Sequence, residues 1–106
     1  MTELESKCFK IIASAGIARS AFIEAIQASK ANNYDKADQL IKEGNDSFLM
    51  AHQIHADFIQ RFASGETIET NILLIHTEDL IMSAETLQIM ALELIDVYHK
   101  LSLTSQ

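Results

Sequence analysis

Residues 71–101 read NILLIHTEDLIMSAETLQIMALELIDVYHKL, a run without glycine or proline. Leu73, Leu80, Leu87, Leu94 and Leu101 recur every seven residues, the repeat that keeps one stripe of an α-helix apolar. Ile72, Ile75, Ile81, Met82, Ile89, Met90, Ile95 and Val97 spread over its remaining faces. A helix that is apolar nearly all round must be covered on several sides. The rest of the chain supplies too few helices to do that, so this segment is expected to contact other subunits as well as its own chain.

The chain has 106 residues, the size of one domain. It is 48% hydrophobic with no proline, three glycines and no tryptophan, which excludes disorder and favours long helices over turn-rich β structure. From Glu3 to about Lys30, Leu4, Cys8, Ile11, Ile12, Ala15, Ala18, Phe22 and Ile26 follow the three-and-four spacing of a helix with one buried stripe. Gly16 costs roughly 1 kcal/mol relative to alanine there. A neighbouring helix is therefore expected to approach over Ala15, Gly16 and Ala18. The stretch KANNYD breaks the pattern, because asparagine tolerates the left-handed conformation after a helix and Asn33 can cap the next one. A second helix follows over 34–63, continuous or kinked across EGNDS at 43–47. ASGET ends it, with Gly65 just past the helix and Thr67 as the next cap, so the third helix is expected over 68–101. The fold class is all-α, an antiparallel up-down-up three-helix bundle with short connections.

The net charge is −7 and the isoelectric point about 4.9, so no nucleic acid and no anionic membrane is expected as a partner. Cys8 has no second cysteine to pair with, MTELESK lacks the layout of a signal peptide, and no apolar run reaches the length of a membrane span. A cytoplasmic location without membrane insertion is the expectation. There is no glycine-rich phosphate loop, cysteine-pair metal motif or serine elbow.

The polar insertion IHTED in the third helix carries the chemistry. His76 and Asp79 are three apart and share a face, with Ile72, Ser83 and Met90 extending the line. A neutral imidazole there can act as acid, base, metal ligand or nucleophile, or can be a core histidine bonded to a carbonyl beside a solvated Asp79. His52 and His55, at i and i+3 on the second helix, could bind a metal but lack a third ligand nearby, and read better as interfacial or solvent-facing. His99 suits a helix-end cation and Cys8 a small core residue.

AGIARSAFIEAI (15–26), YDKADQLIKEGNDSFLMAHQIHADFI (34–59), the ASGE turn (63–66) and above all NILLIHTEDLIM (71–82) resemble the enzyme IIA component of the lactose/cellobiose (chitobiose) branch of the bacterial sugar phosphotransferase system. The resemblance implies a three-helix chain that assembles as a homotrimer, a nine-helix bundle. It implies a phosphocarrier that accepts a phosphoryl group from the phosphohistidine of HPr and passes it to a cysteine of the IIB component during uptake of a β-glucoside, lactose or cellobiose-type sugar. The family's phosphorylated histidine falls on His76. Its aspartate, gathered around the trimer axis at a metal ion, falls on Asp79, with Mg²⁺ the first choice for an oxygen-ligand site. The family segment reads close to His-Ala-Gln-Asp-His-Leu-Met, so Thr77, Glu78 and Leu80 depart from it. Glu78 places a negative charge where the family has an amide. A rival reading takes ANNYDKADQLIKEG as the helix-turn-helix texture of a TPR-like or MIT-like module that binds peptide helices and does no chemistry.

Overall fold

The computed structural model describes residues 1–104. Three helices follow one another, α1 (Glu3–Lys30), α2 (Tyr34–Ala63) and α3 (Ile72–Thr104), in a rod of 58 × 23 × 20 Å. No strand occurs among the described residues. Each helix end is set by its own chemistry. Thr2 accepts a hydrogen bond from the Glu5 backbone N–H at 3.1 Å and opens α1, and Asn33 accepts one from the Lys36 N–H at 3.3 Å and opens α2. Asn32 takes a positive φ of 59° after α1, and Gly65 one of 97° after α2. In both turns the following N–H reaches back to the helix, Asn33 to the Ala28 carbonyl at 2.9 Å and Glu66 to the Arg61 carbonyl at 3.1 Å.

Two expectations need correction. The third helix begins at Ile72, not at 68, because its cap is Asn71, whose side chain accepts from the Leu74 N–H at 2.9 Å. Asparagine outranks threonine as a cap, and the β-branched Thr67, Ile68 and Thr70 are indifferent helix formers. Left extended, Ile68 packs against the core beside Leu73 and Leu74. The close approach expected over Ala15, Gly16 and Ala18 is made at the two alanines, both fully buried, but not at the glycine: a Cβ at Gly16 would meet nothing within 4 Å, whereas one at Gly44 would lie 2.5 Å from Cε1 of Phe22. Phe22 is fully buried, and Gly44 lets α2, continuous through EGNDS, lie against its ring.

Gly44→Ala is therefore expected to destabilise the protein by about 1–2 kcal/mol despite its better helix propensity, since overpacking a buried ring costs about 1–3 kcal/mol. Gly16→Ala meets no neighbour in the chain and should stabilise by up to about 1 kcal/mol. Thermal melts of the two variants, shifted in opposite directions, check both.

The core runs along α1. Cys8, Ile11, Ala15, Ala51, Phe58, Ile81 and Ala84 form its first cluster, Ala18, Phe22 and Ala91 its second, and Ala25, Ala28 and Ala37 its third. Helix α1 packs against both others, while α2 and α3 touch each other far less. Polar cross-links hold that thin α2–α3 seam. His55 meets Glu78 at 2.7 Å, the Gln88 amide donates to Asn45 at 2.7 Å, and the Tyr34 hydroxyl donates to the Tyr98 carbonyl at 3.2 Å. On the α1–α2 side, Lys7 pairs with Glu3 at 3.0 Å and with Asp57 at 3.2 Å. The hydrogen bond from Lys7 and its charge hold the Glu3 carboxyl below the usual range, with Arg61 adding to the effect. Such exposed ion pairs contribute little to stability.

Candidate functional site

Helix α3 shows solvent a strip that a folded monomer has no reason to leave bare. Ile72 is 85% exposed, and Ile75, Met82, Ile89 and Val97 are also largely exposed. The leucine stripe turns inward, with Leu73, Leu80 and Leu87 packed against the core. His76 and Asp79 lie in the exposed strip, where Ile72, Ile75, His76, Glu78, Asp79 and Met82 line a shallow depression of about 490 Å³.

His76 is exposed and makes no side-chain hydrogen bond to any described residue. The core-histidine reading of it therefore does not apply, and both ring nitrogens are open to an incoming group. Asp79 is exposed as well, with apolar neighbours on the strip. Thr77, where the resemblance has alanine, is fully buried and donates its hydroxyl to the Leu73 carbonyl at 2.8 Å, so its polar atom is satisfied within the helix. Leu80 is half-buried and packs on the core.

At 3.6 residues per turn, His76 and Glu78 point about 200° apart around α3 and form opposite borders of the strip. On the Glu78 border, Nε2 of His55 lies 2.7 Å from both carboxylate oxygens. The sequence does not show this pair. Its signal is the register of two antiparallel helices: residue numbers that meet across α2 and α3 add to a constant, 133 for His55 with Glu78 and again for Asn45 with Gln88. The i, i+3 pairing of His52 with His55 dissolves correspondingly. His55 turns to α3, while His52 stays exposed and stacks on Phe48 with ring centroids 5.9 Å apart. His99 sits against Tyr34, centroids 4.9 Å apart, towards the far end of the bundle.

Beside the same border, α2 and α3 enclose a groove of about 320 Å³ lined by Phe58, Ile59, Phe62, Ile68, Leu74 and Ile75, among others. Phe62 is 68% exposed there. Among the described residues, no three of the histidines, cysteines, aspartates and glutamates come together as a metal site, so a single chain offers a cation little beyond Asp79. No described helix is long and apolar enough to cross a membrane.

The family model for the lactose/cellobiose-specific IIA subunit of the phosphotransferase system (PTS) matches residues 6–99. The lactose-specific EIIA component of Staphylococcus epidermidis is 37% identical over 98 residues, 92% of this chain and 94% of that protein. The lichenan-specific enzyme IIA component of Bacillus subtilis is 34% identical over 100 residues, covering 94% and 91%. Among solved structures, the cellobiose-specific enzyme IIA of Bacillus anthracis superposes with a TM-score of 0.93 at 37% identity over 97% of this chain and 94% of that one. PtcA from S. mutans gives 0.88 at 39% identity over 93% and 99%. Agreement along nearly the whole chain leaves no ground for the TPR-like or MIT-like reading. The chain belongs to the lactose/cellobiose-specific IIA subunits of the sugar phosphotransferase system, a family of phosphocarriers in sugar uptake.

Proposed function

We propose that the protein is a cytoplasmic phosphocarrier that takes a phosphoryl group from phospho-HPr on His76 and hands it to a cysteine of its IIB component, during uptake of a β-glucoside, lactose or cellobiose-type sugar. The observation that carries this reading is the exposed, unpartnered imidazole of His76 in the middle of an apolar strip. An unprotonated ring nitrogen of His76 attacks phosphorus, a new N–P bond forms, and the N–P bond to the donor histidine breaks. In the second half the N–P bond to His76 breaks as the cysteine thiolate forms an S–P bond. No phosphate loop is needed, because the donor is itself a protein.

The same strip supports a homotrimer. Packing three copies of α3 through Ile72, Ile75, Met82 and Ile89 covers apolar surface that one chain leaves in water. Asp79, on that strip, would then gather as three carboxylates, an all-oxygen donor set suited to Mg²⁺. The ion would neutralise the carboxylates when bound; the phosphoryl transfer itself belongs to His76.

One reactive atom, on His76, must meet both partners in turn, so their docking surfaces overlap around it. HPr and IIB are therefore expected to compete for the protein in an NMR titration, each displacing the other from the shifted signals of α2 and α3. Simultaneous binding of both at separate surfaces would count against this reading.

A further inference from the structure

Glu78 is a difficulty for a phosphocarrier. A phosphorylated side chain carries about −1.5 to −2 charges at neutral pH, and Glu78 lines the same depression as His76. A carboxylate free to swing over that depression would oppose every arriving phosphoryl group. The structure gives it something else to do. His55 Nε2 is 2.7 Å from both Oε1 and Oε2, so the hydrogen must sit on Nε2 and is shared by the two oxygens, since a bare ring nitrogen would repel them. The His55 side chain is only 16% exposed against 41% for Glu78, so the anchor is the less mobile partner. It belongs to α2, and the bond therefore draws the carboxylate towards the α2–α3 seam, away from the border occupied by His76.

We propose that His55 is a positioning residue for phosphoryl transfer: its Nε2–H pins the Glu78 carboxylate against α2 and keeps that negative charge out of the approach to His76. The proposal rests on His76 being the acceptor. It accounts for a glutamate where the resemblance has an amide, because the histidine that restrains it is present in the same chain. Asp79 also carries charge on the strip but is the same in every comparison below.

The rival explanation is that the pair merely clamps α2 to α3. The two are separated by single-turnover transfer from phospho-HPr to the protein, followed over a range of HPr concentrations at low and high salt. His55→Ala is expected to slow transfer about tenfold at low salt, with a smaller loss at high salt, where charge repulsion is screened. Adding Glu78→Gln to that variant is expected to restore most of the rate, although the clamp is still absent. His55→Gln, whose amide can still donate to the carboxylate, should stay within about threefold of the wild type. A His55→Ala variant that transfers at the wild-type rate would overturn the proposal, as would a double variant as slow as His55→Ala alone. A folded wild-type protein that accepts no phosphoryl group would overturn the phosphocarrier reading as well, an outcome distinct from either of these.

Discussion

His76→Ala is expected to abolish phosphorylation by HPr while leaving the helices and their assembly in place. The imidazole makes no hydrogen bond to the described residues and is exposed, so its removal opens no cavity and strands no buried partner. Exposed substitutions of that kind usually stay within about 0.5 kcal/mol. No other histidine is placed to substitute for it. His55 is committed to Glu78, His52 lies on the ring of Phe48, and His99 packs against Tyr34 at the opposite end of the rod. Labelling with radioactive phosphate through the relay, with a thermal melt of the same sample, measures both halves of the prediction. Label persisting in a folded variant would refute the assignment.

Chelation of divalent metal is expected to weaken the proposed trimer, and Asp79→Leu to make it indifferent to chelation. Asp79 sits on the exposed strip with Ile75 and Met82, so a three-fold packing centred on that strip would draw three carboxylates together. At a separation of about 5 Å and an effective dielectric of 20, each pair repels by roughly 3 kcal/mol, or about 10 kcal/mol for the three. That is enough to offset much of the apolar burial, whereas a cation held by the oxygens reverses the sign. A leucine removes the repulsion and adds apolar area. Sedimentation equilibrium with and without EDTA reads the effect. A wild-type protein that is monomeric under both conditions would contradict the trimer and the metal together.

Much of the fold was legible because its signals are local. The spacing of apolar residues marked all three helices, and Asn32, Asn33 and Gly65 marked two of the turns by backbone chemistry alone. The start of α3 is less legible, because Thr67 and Asn71 are both competent caps and the choice between them depends on Ile68 reaching the core in extended form. Gly16 departs from expectation for a related reason. A glycine inside a helix announces a close approach without saying which glycine is used, and only packing reveals that Phe22 lies over Gly44 and nothing over Gly16.

At the site, the exposed apolar face of α3 followed from its girth, since more apolar residues were present than a single chain could cover. The His55–Glu78 contact did not. It joins residues 23 apart through the register of an antiparallel pair, and no spacing rule within one helix encodes that register. Glu78, without explanation on sequence grounds alone, gains a partner once α2 is laid beside α3.

In the proposed relay, one imidazole in the α3 strip carries the phosphoryl group. The most direct measurement is peptide mapping by mass spectrometry, under alkaline conditions that preserve phosphohistidine, after incubation with phosphoenolpyruvate, enzyme I and HPr. One acid-labile phosphate per chain is expected, on His76. Phosphate located on His52, His55 or His99, or a folded protein that takes none from phospho-HPr, would contradict it.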